Sequence, residues 1–344
     1  MLTRLAPSPT GALHLGNART FLVNWALARQ NGWRVLLRIE DLDGPRIKAG
    51  AAEAAIDILQ WLGIDWDEGP IYQSADLKPY EDALSQVVEA GEAYPCRCTR
   101  TQILAASLSA PNAGDHDLRY PGTCRPAPSA VSVSELWEAS PDADYAHHAA
   151  TARSAKSGSG DPSHISLNDP NIAWRLMTPD ESITFNDAFL GPQHFNPQRE
   201  VGDFLIATKG GQPSYQLAVV VDDARQGVTH VVRGADLLPS TARQMLLYDR
   251  LNLGAPPEYL HLPIVIGEDG RRLAKRHGDT RLAYYRDLGT TPERVIGLLA
   301  EWCGLGPRTE MTVSEFADRF DLSRMPREQI VFTAADDAWL PKDV

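Results

Sequence analysis

Cysteine is scarce in this chain of 344 residues: there are four, three of them crowded between Cys96 and Cys124. That number and spacing do not make the disulfide framework of a small secreted domain; metal binding in a reducing cytoplasm fits better. Long apolar runs are missing too. No stretch of about 18 apolar residues occurs, and the N-terminus carries no basic-then-apolar leader, so the chain reads as neither membrane-spanning nor secreted. Positive charge is in deficit: 33 Lys and Arg against 45 Asp and Glu give a formal net charge of −12. This argues against indiscriminate nucleic-acid binding, which needs a basic surface, and leaves room only for localised, salt-sensitive contact with any nucleic-acid partner. No internal repeat or coiled-coil pattern is visible, and a monomer is expected. What remains is a globular composition, 43% hydrophobic and 23% charged, long enough for two domains or one with insertions.

The organising stretch runs from Arg4 to Asn17 (R-L-A-P-S-P-T-G-A-L-H-L-G-N). A short apolar strand, Leu2 to Ala6, meets prolines and Gly11, which cannot continue it. His14-Leu15-Gly16-Asn17 then feeds a helical run from Ala18 to Arg29. A strand that breaks into a glycine-bearing turn before a helix N-terminus is suited to an anion, because backbone N–H groups point outward there. Trp33 to Ile39 reads as a second strand, ending in Glu40-Asp41-Leu42-Asp43. Carboxylates at that end of a parallel strand sit where open α/β sheets bind ligands. Helices follow over Ala49 to Leu62 and Leu77 to Ala90, so strand and helix alternate and a parallel sheet is expected.

The character changes from Tyr94 to about Pro170, where Ser, Ala, Asp, Pro and His dominate the second part. This is the composition of a mobile linker, with a short helix expected around Val133 to Ala139. Order resumes at Ile172, with strands and turns over Ser182 to Phe195. Tyr215 to Asp223 reads as a buried strand or a helix-to-strand segment. Thr229 to Arg233 and His261 to Ile266 read as strands, and Ser240 as the cap of a helix from Thr241 to Leu251. Helices are expected over Pro292 to Cys303, Val313 to Phe320 and Pro326 to Val331.

The Arg4–Asn17 wording resembles the R-x-A-P-S-P-T-G-x-L-H-x-G segment of the glutamyl branch of class I aminoacyl-tRNA synthetases, with His14-Leu15-Gly16-Asn17 as its form of the "HIGH" motif. Arg272-Leu273-Ala274-Lys275-Arg276, after Gly267-Glu268-Asp269-Gly270, resembles the family's K-L-S-K-R loop, with Ala274 in place of the usual Ser and Arg272 in place of the usual Lys. The resemblance implies a Rossmann-like, doubly wound α/β fold with an inserted zinc module and a small C-terminal helical region. It implies an ATP site of His14, Gly16, Asn17, Arg272 and Lys275. There His14 and Lys275 serve catalysis, the lysine by neutralising charge on the triphosphate of Mg-ATP. It also carries an L-glutamate site onto Arg4, Ala6, Ser8, Glu40, Tyr215 and Arg233. A substrate with one ammonium and two carboxylates needs a carboxylate and at least one arginine fork. Glu40 would hold the ammonium, while Arg4, Tyr215 and Arg233 would bracket the carboxylates, and the sequence does not divide these between the arginines.

Cys96, Cys98 and Cys124 supply three thiolates, and structural Zn2+ takes four ligands. Tyr120, His116 and Asp117 lie in the gap. Donor preference alone favours His116; the family pattern, C-x-C followed by Y-x-x-x-C, implies Tyr120. Cys303 falls on the apolar face of a helix and reads as core.

These readings divide the chain into 1–95, the first half of the catalytic domain; 96–125, the zinc insertion; 126–170, a linker; 171–276, the second catalytic half; and 277–344, a helical region like the stem-contacting part of the family, with no anticodon-binding domain. Two features resemble a shorter branch of the family, which attaches glutamate to queuosine in the anticodon loop of tRNA(Asp): the run Ala218-Val219-Val220-Val221-Asp222-Asp223, with Val219 where full-length enzymes usually place Asn, and Gln226-Gly227-Val228-Thr229. Tyr284-Tyr285-Arg286 instead resembles the full-length enzymes that charge tRNA(Glu). A third reading is a non-catalytic synthetase-like binding protein, with Ala274 marking decay of the ATP loop.

Overall fold

Every residue of β1 (Leu2–Leu5) is buried, as is most of β2 (Arg34–Ile39). Strands apolar on both faces belong at the centre of a covered parallel sheet, and that is where the computed structural model puts them. It describes residues 1–42, 47–108, 119–127, 166–271, 273 and 280–341. The described chain divides into two compact units, one of Met1–Glu81, Glu181–Pro197 and Tyr215–Val344, the other of Asp82–Asp180 and Gln198–Ser214.

The first unit carries a five-stranded sheet. With β3 (Glu68–Tyr72), β9 (His230–Gly234) and β10 (Glu258–Leu262), its order is β10-β9-β1-β2-β3 and all pairings are parallel. The sequence crosses from one side of β1 to the other, so the sheet has a switch point beside β1, where ligands enter doubly wound sheets. Helix α1 (Leu15–Asn31) follows β1 and buries Leu22, Val23, Ala26 and Leu27. It ends at Gly32, whose φ of 64° is the left-handed conformation that glycine adopts without strain. Helix α2 (Ala51–Trp61) buries Ala55, Ile58 and Leu59, and α3 (Lys78–Glu89) follows β3.

In the second unit, β4 (Ala93–Cys96), β5 (Ala173–Leu176) and β8 (Leu205–Ala207) form an antiparallel sheet in the order β4-β5-β8. The helix α4 (Arg100–Leu108) follows β4. Back in the first unit, β6 (Ile183–Asp187) and β7 (Gly191–Phe195) form a hairpin.

Three expectations are corrected. Tyr215–Arg225 is a helix, α5, rather than a strand or a mixed segment; its valine run suggests β structure by propensity, but packing on both sides of the helix buries it. Ser240 lies inside α6 (Leu238–Arg250), which begins earlier because Pro239 fits its first turn, and Leu237 at the N-cap makes no side-chain cap. The expected helix over Pro326–Val331 is replaced by a short strand, β12 (Ile330–Val331), paired in parallel with β11 (Val265–Ile266).

Further helices among the described residues include α7 (Leu282–Asp287), α8 (Pro292–Trp302), α9 (Val313–Arg319) and α10 (Ala334–Trp339). Thr312 with Glu315, and Thr333 with Asp336, form reciprocal capping boxes that start α9 and α10. Trp302, Cys303, Phe316 and Leu340 share one core with Leu22 and Ala26 of α1, and Cys303 is fully buried. No helix among the described residues is long and apolar enough to cross a membrane. The expected helix at Val133–Ala139 and most of the 126–170 stretch lie outside the described residues.

Candidate active site

The turn after β1 is held by backbone bonds: the Glu40 amide donates to the Pro7 carbonyl (3.1 Å) and Lys48 to Pro9 (3.2 Å). Ala6 is half-buried here and Ser8 exposed. His14 is the N-cap of α1. Its Nδ1 accepts from the Gly16 amide at 3.2 Å, and Asn17 Oδ1 accepts from the His14 amide at 3.3 Å. A Cβ on Gly16 would come within 3.1 Å of the His14 ring, so glycine lets the imidazole fold over the helix start. The positive end of the helix dipole and the histidine therefore coincide, an arrangement suited to phosphate.

The flanks of the lysine loop come to this same place. On one side, the Leu273 amide donates to Val265 O (3.2 Å). On the other, Leu15 donates to Thr280 O (3.2 Å) and Leu282 to Leu13 O (3.0 Å), with a bridge between His14 and Arg281. Lys275 and Arg272 lie outside the described residues, but the chain is tied to β11 before Lys275 and to the start of α1 after it.

The carboxyl ends of the central strands carry a buried ionic cluster. Arg38, fully buried in β2, places Nη1 2.8 Å from Asp223 and Nη2 3.2 Å from Glu40, with Nε 3.8 Å from Asp222. The Gln226 side-chain oxygen accepts from Nη1 at 2.8 Å. Arg4 Nε lies 3.2 Å from Asp223. Burial opposes ionisation of Asp223, but Arg38 and Arg4 more than offset it and hold the carboxyl below its ordinary range. Glu40 goes the other way: burial pushes it up, and Arg38 and Arg4 offset this only in part. Burial also opposes the charge on Arg38, yet Asp223, Glu40 and Asp222 raise it above the ordinary arginine value. Two buried guanidiniums facing three carboxylates are costly to desolvate, so the cluster is not by itself a source of stability.

Arg233, expected on sequence grounds as a strand-end arginine, is only 5% exposed. Its Nε donates to His261 Nε2 at 2.9 Å and its Nη2 to Thr241 Oγ1 at 2.8 Å. Nη1 is buried and has no hydrogen-bond partner among the described residues, and none of them offers Arg233 a carboxylate within ion-pair distance. This buried N–H is a donor that the described protein groups leave to a ligand or to water. Tyr215, at the start of α5, is 38% exposed, and the charges of Arg233, Glu40, Arg4 and Asp223 all bear on its hydroxyl. Arg4, Glu40, Tyr215 and Arg233 thus gather in one electrostatic neighbourhood.

In the second unit, the Sγ atoms of Cys96, Cys98 and Cys124 all lie within 4.8 Å of one another. Cys98 and Cys124 are 3.5 Å apart and both are free thiols. Around a tetrahedral zinc with Zn–S of about 2.3 Å, neighbouring sulfurs stand about 3.8 Å apart, so the spacing suits a shared cation and is far too long for a disulfide. The buried Tyr120 hydroxyl lies 3.6 Å from Cys96 Sγ and accepts from the Cys124 amide at 2.8 Å. His116 and Asp117 are outside the described residues. Burial pushes the Cys98 thiol up to about 11, whereas hydrogen bonds to Cys124 outweigh its burial and bring that thiol down. Arg175 donates to Cys96 Sγ at 3.3 Å and lies over the Tyr120 ring at 3.7 Å, a cation placed to offset thiolate charge. The residues present fit a structural zinc.

Sequence reasoning passed over Arg38, Asp187 and His261. The signal for Arg38 was a lone charge inside an apolar strand, V-L-L-R-I, which burial obliges to be paired. His261 and Asp187, 74 residues apart, carry no such local signal.

A family model described as tRNA synthetases class I (E and Q), catalytic domain, matches residues 1–132 and 148–335. The chain is 44% identical over 337 residues to the glutamyl-Q tRNA(Asp) synthetase of Symbiobacterium thermophilum, spanning 95% of this chain and 94% of that one. It is 36% identical over 343 residues to the glutamate–tRNA ligase of Syntrophobacter fumaroxidans, spanning 99% of this chain and 64% of that one. Among solved structures, a glutamate tRNA ligase from Elizabethkingia meningosepticum in complex with its amino acid aligns with a TM-score of 0.73 at 26% identity, covering 98% of this chain and 68% of that one.

Proposed function

The chain belongs to the class I tRNA synthetase (E and Q) catalytic-domain family, and from that premise we propose that it activates L-glutamate with Mg-ATP and transfers the glutamyl group to queuosine in the anticodon loop of tRNA(Asp). It is a ligase of the class I aminoacyl-tRNA synthetase type, with a glutamate–tRNA ligase type of function. The acceptor is the finer step. It is supported by the greater similarity to a glutamyl-Q tRNA(Asp) synthetase than to a glutamate–tRNA ligase, 44% against 36% identity. Val219 supports it as well: this buried position on α5 carries no amide for the substrate, unlike the usual Asn of full-length enzymes.

Arg233 carries the glutamate reading. Arg4 already faces Asp223, whereas Arg233 has only neutral partners and a spare buried N–H. Arg233 therefore takes the side-chain carboxylate, with Tyr215 beside it. Glu40 takes the α-ammonium, and Arg4 sits by the α-carboxylate, next to the turn of Ala6 and Ser8. The α-carboxylate attacks the α-phosphorus of ATP in line, forming the carboxyl–phosphate anhydride and expelling pyrophosphate. His14, Gly16 and Asn17 hold the nucleotide at the α1 N-terminus, and Lys275 with Arg272 neutralises the triphosphate. A queuosine hydroxyl then attacks the glutamyl carbonyl and AMP leaves. Positioning and charge neutralisation supply the catalysis, with no covalent intermediate on the protein. Cys96, Cys98, Tyr120 and Cys124 would hold a structural zinc that stabilises the 96–125 insertion.

Glutamylation of tRNA(Asp) with and without queuosine, beside tRNA(Glu), tests the acceptor. Transfer only to queuosine-bearing tRNA(Asp) is expected, and charging of tRNA(Glu) alone would replace this reading with that of a tRNA(Glu)-charging enzyme. Absence of glutamate-dependent pyrophosphate exchange, with or without tRNA, would leave a binding protein.

A further inference from the structure

The parallel register of β9 and β10 sets His261 directly beside Arg233. His261 and Asp187 are both fully buried, and His261 Nδ1 lies 2.6 Å from Asp187 Oδ2. Asp187 ends β6 and is itself pinned: its carboxylate accepts from the backbone amides of Phe189 (3.1 Å), Leu190 (2.8 Å) and His261 (3.1 Å). On the other side of the ring, Nε2 receives Arg233 Nε at 2.9 Å. A guanidinium N–H only donates, so Nε2 must be the unprotonated nitrogen and Nδ1 must carry the proton toward Asp187. Both faces of the imidazole are then assigned, and it is neutral. Thr241 completes the grip on Arg233 through Nη2.

We propose that the Asp187–His261 pair positions Arg233, holding its guanidinium through a neutral acceptor so that the orientation is fixed while the positive charge stays available for the substrate carboxylate. This rests on the reading above that Arg233 binds glutamate. The contrast with Arg4 carries the argument. Arg4 is held by a carboxylate in direct contact, one that it shares with Arg38. At Arg233 the carboxylate behind the ring, Asp187, stands one imidazole away, so the ring passes on the orientation imposed by Asp187 with no carboxylate among the described residues in direct contact with the guanidinium. A carboxylate in the place of His261 would hold the arginine equally well and compete with the ligand. The charged and titratable groups around the ring are Asp187, Arg233, Arg4 and Tyr259. Burial, Arg233 and Arg4 disfavour the imidazolium more than Asp187 favours it, consistent with a neutral ring at pH 7.

The test is glutamate-dependent ATP–pyrophosphate exchange by the full chain, with and without tRNA, for His261→Phe and His261→Gln. Phe removes the acceptor; Gln places an amide oxygen near the position of Nε2. The expected result is a rise of at least tenfold in glutamate KM for His261→Phe, an ATP KM within twofold of the parent, and recovery of most of the loss in His261→Gln. A folded His261→Phe protein with unchanged glutamate KM would overturn the proposal, as would equal losses toward glutamate and ATP in both variants. Nitrogen-15 spectra of the parent protein give a second readout that no variant's folding can obscure. The His261 signal, assigned among nine histidines by its loss in His261→Gln, should show protonated Nδ1 and bare Nε2 at pH 7; the opposite tautomer or a charged ring would overturn the proposal. If the parent itself shows no glutamate-dependent exchange while the ring has the expected tautomer, the glutamate reading fails and the geometry stands.

Discussion

Arg38 and Asp223 meet 2.8 Å apart, with side chains 0% and 3% exposed, and Asp223 also faces Arg4. One carboxylate thus serves two buried guanidiniums. Removing it leaves positive charge in the interior without its nearest counter-ion. Asp223→Ala should therefore destabilise the fold by roughly 3–5 kcal/mol, read as a lower urea midpoint. Asp223→Asn should lose a comparable amount, because it keeps the shape but not the charge. The pH dependence has a definite sign. The folded value of Asp223 is depressed, so its contribution is present above the unfolded value of about 3.9 and is lost as pH falls through the lower folded value. The parent should lose more stability than the Asn variant across that acid window.

Glu40 should show the reverse linkage. Its folded value is raised, burial outweighing Arg38 and Arg4, so its stabilising effect is present below the unfolded value and is lost as pH rises through the folded one. At neutral pH the ionised side chain is a cost to the fold, one that its proposed role of binding the substrate ammonium would account for. Glu40→Gln should be at least as stable as the parent at pH 7 by thermal unfolding, yet weaken glutamate by about 10–100-fold, the worth of a charge-assisted hydrogen bond. In the parent, glutamate KM should climb on acidification from above the usual carboxylate range. A variant that is both less stable and unimpaired toward glutamate would remove Glu40 from the substrate site.

Cys96 is the deepest of the three clustered thiols and touches both Tyr120 and Arg175. Cys96→Ser should strip the purified protein of zinc, measured by atomic emission, and lower its melting temperature. Tyr120→Phe removes one donor and the bond to the Cys124 amide, so it should weaken zinc retention against a chelator about 10–100-fold. Unchanged metal content in Cys96→Ser would end the zinc assignment.

The parallel sheet was legible because its signals are local. Apolar strands at Leu2–Leu5 and Arg34–Ile39 and the breaker-rich turn between β1 and α1 need no distant partner to be read. The α5 helix misled because valine propensity pointed one way and tertiary burial the other. Motif residues such as His14 and Glu40 stood out in the chain, but what orients them did not. Arg38 reaches Asp223 across 185 residues and Gln226 across 188, and Asp187 reaches His261 across 74. Gln226, noticed only as part of a Q-G-V-T string, has a physical task, since its side-chain oxygen caps a buried arginine. Such pairings exist only after the sheet has closed.

Lys275 gives the sharpest separation of binding from chemistry. The chain before it is bonded to β11 through Leu273, and the chain after it to the His14 turn through Thr280 and Leu282. In the proposed mechanism its ammonium meets negative charge that grows on the triphosphate as the anhydride forms, whereas glutamate is held by groups on the central sheet. Lys275→Ala should slow single-turnover adenylate formation by about 10²–10³-fold, the usual effect of losing one such electrostatic contact, while glutamate KM stays within about threefold. An equal loss of rate and of glutamate affinity would mean that the lysine acts on the amino-acid site instead. Ala274 beside it makes a second comparison available: Ala274→Ser restores the hydroxyl usual in the family loop and should lower ATP KM without moving glutamate KM. Rapid-quench measurement of adenylate on the three proteins, at saturating and limiting ATP, distinguishes a residue that steadies the nucleotide from one that stabilises the transition state.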